Sequence, residues 1–377
     1  MLPGPAVDRI SLADVLTSCL AALRSAENRV GFGPADRIVV VLVDGLGAAA
    51  LRATSGHART LGTAAGQTID TVFPTTTASA LASLTTGARP GVHGLVGYSV
   101  LDAAHDRVVN QLSGWDDRLD PASWQRLPTV FETATSEGYS AVAVGPARFQ
   151  TSGFTSAVLR GAEYRVAASI SDRFETAASW LREAGPPGLL YLYIPELDSI
   201  AHALGWESVE WAAQLEEVDS EVRRLASSLR SMDAMVLTAD HGIVDIPVNA
   251  HLLIDTSPEL VDGVRFVAGE PRCLQLHFEP ELAIAAQNAL VERWRDAESA
   301  RSWVATRDEA IAANWFGAVA GEVMPRIGDL LVAARKNIAY YDGRTATEHS
   351  LAMIGQHGSW SPAEMQVPLL RFGALEF

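Results

Sequence analysis

The sequence predicts an α/β fold, with a doubly wound sheet flanked by helices on both faces and a smaller α+β cap inserted late in the chain. Three observations carry that expectation. β-branched runs alternate with helically spaced segments through the first 240 residues, two of those runs end in Asp-Gly or Asp-His-Gly, and the pattern changes after about residue 260.

Residues 11–26 space Leu, Val and Ala as one helix face. Arg37 to Val43 is a continuous apolar run ending at Asp44-Gly45, which reads as a strand buried on both faces of a parallel sheet. Thr76 or Thr77 then caps an Ala/Leu/Ser helix that stops at Gly87, a C-terminal glycine. Residues 128–137 read as a helix and Ser140 to Val144 as the next strand. A helix over 172–184, the breaker Gly185-Pro186-Pro187, and a strand from Gly188 to Ile194 follow. The next pair is a helix over 207–230 and a strand from Ala234 to Thr238. Beyond residue 260 the expected elements are a hairpin over 264–278, a helix over 281–297 and a strand from Asp329 to Ala333. The expected division is therefore a core of residues 1–260 plus 350–377 and a cap of residues 261–349.

At 377 residues either part buries an ample core. The longest aliphatic run, Ile38 to Val43, is far too short to cross a bilayer, and the N-terminus lacks a basic region of the signal-peptide kind, so a cytoplasmic location is expected and no membrane partner. Cys19 and Cys273 are the only cysteines and are expected to be buried and reduced, which excludes a cysteine-rich zinc site. The formal charge of −16 excludes a nucleic-acid-binding surface. It also means that a site for anions needs a local source of positive charge, which bound metal ions supply.

Five short islands hold the candidate chemistry. Asp44 follows a buried strand, where ligands of open α/β sheets bind; read alone it is equally a turn-initiating aspartate. Asp240 and His241 hold the same position after another strand. Asp198 and His202 are four apart, on one face of a helix if Pro195-Glu196 starts one, whereas Glu196 fits that face less well. His357 lies in Gly355-Gln356-His357-Gly358, where no helical pattern buries it, and a neutral imidazole is a favoured zinc ligand. In Thr75-Thr76-Thr77, a hydroxyl at a helix N-terminus stands beside free N–H groups that suit a phosphate, and a metal must lower its pKa for it to attack. Thr75 is read as a helix cap instead.

Together the islands resemble the alkaline phosphatase superfamily, and within it the bacterial type I phosphodiesterase/nucleotide pyrophosphatase group. The matching pieces are V-D-G at Asp44, F-P-T-T-T…L-T-T-G-A-R-P-G-V-H-G from Phe73 to Gly94, D-x-x-x-H at Asp198, A-D-H-G at Ala239, and H-G…E-M-x-V-P-L from His357 to Leu369. The resemblance implies an alkaline-phosphatase-like fold and two divalent metal ions, zinc or alternatively manganese. It places Asp198, His202 and His357 on one ion, and Asp44, Asp240, His241 and the nucleophile oxygen on the other. It selects Thr77 as nucleophile, with Thr76 the fallback, and implies in-line displacement through a covalent phosphothreonine. His93 and Tyr98 also match; His93 is read as loop packing. Ser79 and Ala80 stand where many relatives have Pro and then Asn, so the contact that Asn makes to a phosphate oxygen is absent. No sulfatase-type C/S-x-P-x-R segment occurs.

The expected substrate is a small phosphodiester or nucleotide, cleaved at a phosphodiester or pyrophosphate bond. Three aspartates and a threonine alkoxide balance two divalent ions, and a monoester brings one more negative charge than a diester. No Arg or Lys occurs between Arg59 and Arg89, which favours a diester unless an arginine from elsewhere in the chain folds in. The alternatives are a phosphomonoesterase or phosphonate hydrolase on the same site, and an inactive relative that only binds metal. Specificity is expected from the loops at 98–120 and 145–165 and from the cap, with Trp115, Trp124 and Trp315 read mainly as packing residues.

Overall fold

The computed structural model describes residues 1–6 and 8–375. Among these, seven strands form the central sheet, in the order Ala65–Asp70, Gln366–Gly373, Asp233–Thr238, Arg37–Val43, Gly188–Ile194, Ser140–Gly145, Glu163–Val166. Arg37–Val43 pairs in parallel with both Gly188–Ile194 and Asp233–Thr238, and every residue of this central strand is buried. That explains its unbroken apolar sequence, since helices cover both faces and neither face needs polar residues. Gln366–Gly373 is the exception in direction: it runs antiparallel to both of its neighbours.

The expected helices form with slightly different ends. The first spans Ala13–Leu23, the one after the threonines Thr77–Thr86, and the later ones Val130–Ser136, Ile170–Arg182 and Val209–Ala226. Capping boxes at Thr129 and Ser169 fix two of these starts, and Gly87 ends the Thr77 helix in the left-handed conformation. No helix among the described residues is long and apolar enough to cross a membrane. Cys19 and Cys273 are buried and unpaired.

A second, antiparallel sheet has the order Ser302–Thr306, Leu330–Ala334, Cys273–Phe278, Val264–Glu270, Ser99–Asp102, Arg107–Asn110. Its middle is the expected 264–278 hairpin, packed with the helix Ile284–Glu298. Its edge is a hairpin from residues 99–110, joined through the Gly269–Ser99 pairing. The sheet therefore draws on chain from outside 261–349, because a hairpin with one apolar face needs a partner and its own neighbours in sequence offer none.

The carboxyl ends of the parallel strands share one edge. Val43 is level with Ile194, and Leu42 with Thr238. The antiparallel strand Gln366–Gly373 starts at that same edge, so the chain just before it also arrives there. A short pairing of Gly355 with Asp245 and of Gln356 with Val244 then fixes the segment before His357 beside the turn after Asp240-His241.

Candidate active site

Every candidate ligand lies on this edge. Asp44 and Asp240-His241 leave the ends of strands, and Asp198 and His202 sit one turn apart on the helix Glu196–Leu204. Gly45 lies at φ +74°, and a Cβ there would stand 3.1 Å from Asp198 Cβ, so only glycine lets the two segments close up. Glu196 is turned away into an ion pair with the buried Arg173.

The three histidines are oriented in the same manner. His202 Nδ1 is 2.7 Å from the Gly355 carbonyl, His357 Nδ1 2.7 Å from the Thr75 carbonyl, and His241 Nδ1 3.2 Å from the Gly242 carbonyl. A carbonyl only accepts, so each Nδ1 carries the proton and each Nε2 presents a lone pair. Those lone pairs converge on carboxylates. His202 Nε2 is 3.3 Å from Asp198 Oδ2, and His357 Nε2 is 3.9 Å from Asp198 Oδ1. His241 Nε2 is 3.4 Å from Asp44 Oδ1 and 3.5 Å from Asp240 Oδ2. The His241 and His357 rings stack at 3.7 Å, which ties the two groups of ligands together.

Two clusters follow from these distances, Asp198 with His202 and His357, and Asp44 with Asp198 and His241. Asp198 belongs to both. Asp240 Oδ1 accepts the backbone N–H of Gly45 at 3.2 Å and of His241 at 3.0 Å, while its Oδ2 faces the site. The halves differ in access: His241 and Asp240 are fully buried, whereas the His202 side chain is 24% exposed.

The donor set fits divalent cations. Asp44 Oδ1, Asp198 Oδ1 and Asp240 Oδ2 are buried with no hydrogen-bond partner. Three such oxygens side by side demand positive charge. Burial, followed by the neighbouring Asp240 and Asp198 carboxylates, pushes the Asp44 carboxyl well above its usual range. Burial also raises Asp240, with His241 opposing the rise. Burial, with His241 and His202 adding to it, holds His357 far below its ordinary value, so it stays a neutral donor. Neutral imidazoles inward and carboxylates without protein partners are the ligand types that zinc or manganese takes.

Thr77 is the first residue of its helix, and its Oγ1 lies 3.3 Å from His241 Nε2. Thr76 occupies the N-cap position, and its hydroxyl caps nothing. Thr75 departs from the expected capping role. Its Oγ1 donates to the Ser359 carbonyl at 3.0 Å and accepts the Gly358 N–H at 2.9 Å, so it clamps the His357 segment to the threonine loop. His93 is a packing residue, as read from the sequence: Nδ1 accepts the Leu95 N–H at 3.1 Å, so Nε2 donates to Ser83 Oγ at 2.9 Å. Burial lowers its pKa to about 3.

Beside Asp44 and Thr77 opens a cavity of about 200 Å³, walled by apolar and aromatic side chains that include Phe149, Phe154, Tyr191 and Tyr193. Tyr193 donates its hydroxyl to Asp44 Oδ2. In sequence Tyr193 is marked only as a polar tip near the end of the buried strand Gly188–Ile194, a signal that does not by itself point to the site. Arg148, from the loop at 145–165, also lines this cavity. The tryptophans pack instead. Trp315 lies against Phe73 at 4.8 Å, Arg326 sits over Trp124 at 3.5 Å, and Trp115 Nε1 donates to the Gln111 carbonyl at 2.7 Å.

Fold and site together define a hydrolase of the alkaline phosphatase superfamily. The sequence model of the type I phosphodiesterase / nucleotide pyrophosphatase family matches residues 38–360, and the chain belongs to that family. Among solved structures, murine ectonucleotide pyrophosphatase / phosphodiesterase 5 superposes with a TM-score of 0.68 at 15% identity, covering 88% of this chain and 87% of that one. The human counterpart gives 0.67 at 17% identity, over 89% and 88%. A murine form described as an inactive threonine-to-alanine variant in complex with AMP gives 0.67 at 16% identity, over 90% and 88%. No curated sequence matches at a significant level.

Proposed function

We propose that this chain cleaves phosphodiester or pyrophosphate bonds, with Thr77 as nucleophile and two divalent ions, zinc in the first place, held by Asp44, Asp198, His202, Asp240, His241 and His357. One observation carries the reading: three inward Nε2 lone pairs and three unpartnered carboxylate oxygens meet beside a single threonine hydroxyl. Asp198, His202 and His357 hold one ion. Asp44, Asp240 and His241 would hold the other, His241 Nε2 lying 3.3 Å from Thr77 Oγ1. Ions bound there supply Lewis acidity, which activates a hydroxyl and offsets charge on the transferring phosphoryl group.

The remaining work falls to the chain itself. Thr77 Oγ forms a bond to phosphorus while the bond to the departing ester oxygen, in line with it, breaks. Water then cleaves the phosphothreonine and restores the hydroxyl. The free N–H groups at the start of the Thr77–Thr86 helix receive the non-bridging oxygens, and that helix end favours negative charge. This replaces the asparagine contact that Ala80 does not make. The aromatic cavity seats one ester arm. The relative described as an inactive threonine-to-alanine variant with AMP supports both the threonine and a nucleotide-type product.

A phosphomonoesterase or phosphonate hydrolase is the second reading, favoured by the Arg148 guanidinium in the cavity. Turnover of bis(4-nitrophenyl) phosphate against 4-nitrophenyl phosphate separates the two: faster diester turnover is expected, and faster monoester turnover replaces the first reading by the second. Thr77→Ala is expected to lower kcat by at least ~10³-fold, the order seen when a covalent nucleophile is removed, while Thr76→Ala retains most activity. Full turnover by Thr77→Ala overturns the assignment of the nucleophile.

A further inference from the structure

The count of charge made from sequence placed no cation beside Thr77, because none lies near it along the chain. Folding brings one into the cavity that Thr77 lines. Arg148 stands on the short turn Ala147–Phe149, directly after the strand Ser140–Gly145. That strand runs parallel to Gly188–Ile194, with Val144 level with Leu192, so Arg148 leaves the sheet at the same edge as Asp44. It lines the cavity that Asp44, Thr77 and Asp198 also line, and it is the one cation among the described lining residues.

The guanidinium is held by ring contacts and not by acids. Its Cζ lies 4.5 Å from the centre of the Phe149 ring. Phe149 in turn packs on Tyr193 at 5.7 Å, and Tyr193 donates to Asp44. Among the described residues its neighbours in sequence Arg160 and Arg165 pair with glutamates, whereas Arg148 makes no ion pair. Its planar fork of N–H donors is therefore unspent, and this geometry suits bidentate contact with a phosphate or carboxylate.

We infer that Arg148 is a specificity-determining residue that reads a second negative charge on the ester arm, so that the substrate class is a pyrophosphate diester carrying an apolar or aromatic group. The inference rests on the phosphodiesterase reading above. The negative charge of the scissile phosphoryl group belongs at the ligand cluster. A second charge one phosphorus away falls in a cavity whose lining mixes hydroxyls such as Ser152 and Thr155 with apolar groups such as Val144, Phe154 and Val158 and, among the described residues, has no other cation, so an uncompensated anion there is costly. Arg148 removes that cost. In the reaction, Thr77 Oγ bonds to one phosphorus and its proton is lost to solvent. The bridging oxygen departs with the electron pair on the other phosphorus as a phosphomonoester, and water then releases the second phosphomonoester from Thr77.

The test uses the metal-loaded protein and three probes: P1,P2-bis(4-nitrophenyl) pyrophosphate, bis(4-nitrophenyl) phosphate and 4-nitrophenyl phosphate, with products separated by chromatography. Arg148→Met is expected to lower kcat/KM for the pyrophosphate about 10-fold more than for the simple diester, the scale of one charge-assisted hydrogen-bonded contact at a partly solvated site. The loss is expected to lie mainly in KM, and Arg148→Lys to recover part of it. A direct readout is the affinity of Thr77→Ala protein for the pyrophosphate probe, expected to fall about 10-fold when Arg148→Met is added. Equal losses on the pyrophosphate and the diester overturn the inference, as does a loss confined to 4-nitrophenyl phosphate, which would assign Arg148 to the scissile phosphoryl group. Wild-type protein that cleaves none of the probes overturns the underlying functional reading as well. Diester turnover with an unmoved selectivity ratio overturns this inference alone.

Discussion

Replacing Thr75 by valine keeps the shape of the side chain and removes only its hydroxyl. That hydroxyl serves two buried backbone groups, the Ser359 carbonyl at 3.0 Å and the Gly358 N–H at 2.9 Å. Each loses its partner in a buried place, at about 1–3 kcal/mol per group. The expected destabilisation is therefore about 2–6 kcal/mol, a large share of the ~5–15 kcal/mol that holds a typical domain together. The functional consequence is larger than the stability loss alone implies. His357 lies between the clamp and the Gly355–Asp245 pairing, and its Nδ1 is bonded to the Thr75 carbonyl at 2.7 Å. Loosening the segment lets the imidazole turn, and disturbing the support of a ligand histidine costs about 10- to 100-fold in metal affinity. Urea denaturation in the presence of a chelator reads the first effect. Competition for zinc with a chromophoric chelator reads the second. Thr75→Ser, which keeps the hydroxyl, should restore most of both. Valine protein with stability within ~0.5 kcal/mol of wild type and unaltered zinc affinity would refute the clamp.

Two further outcomes follow from neighbouring residues. Tyr193→Phe removes the donor to Asp44 Oδ2 and should lower kcat roughly 10-fold, with a matching loss of zinc affinity; unchanged values of both would show that the hydroxyl does not orient Asp44. Burial pushes the Glu270 carboxyl from its ordinary 4.5 up to about 8, against the Tyr98 N–H that lowers it. The folded state therefore keeps a proton that the unfolded chain has lost, so the Glu270 contribution to stability is full below about pH 4.5 and is lost as pH rises to about 8. The Glu270 share of the decline approaches 1.4 kcal/mol per pH unit, and Glu270→Gln should make urea midpoints of the metal-free protein fall less steeply across that window, the buried Asp44 and Asp240 carboxyls still contributing; an equally steep decline in the variant would contradict this source.

How far the sequence reached depends on whether a feature is local. Gly188–Ile194 was readable to the residue because a strand buried on both faces writes an uninterrupted apolar run between breakers. Asp44, Asp240 and His241 were readable from strand ends and Asp198 and His202 from helix spacing, whereas His357, in a glycine stretch without pattern, was readable only through the set of motifs taken together. What was missed depends on pairing at a distance. Ala65–Asp70 is an edge strand with little apolar alternation, and Gln366–Gly373 carries Pro368 and runs against its neighbours, so neither reads as part of a parallel sheet. The 99–110 hairpin joins a sheet whose other strands begin at residue 264. Thr75 could pass for a helix cap because its true partners are 283 and 284 residues away. Arg148 was hidden in the same way: only the order of strands brings its turn to the cavity that Thr77 lines. The family resemblance assigned Asp198 to one ion, whereas in the fold its carboxylate belongs to both groups of ligands.

Anomalous diffraction from crystals of the zinc-loaded protein tests the central claim most directly. Two peaks are predicted. One should lie within ligand distance, about 2.0–2.2 Å, of Asp198, His202 Nε2 and His357 Nε2. The other should be held by Asp44, Asp240 and His241 Nε2 beside Thr77 Oγ. A single ion, no ion, or ions bound away from these side chains would contradict the account.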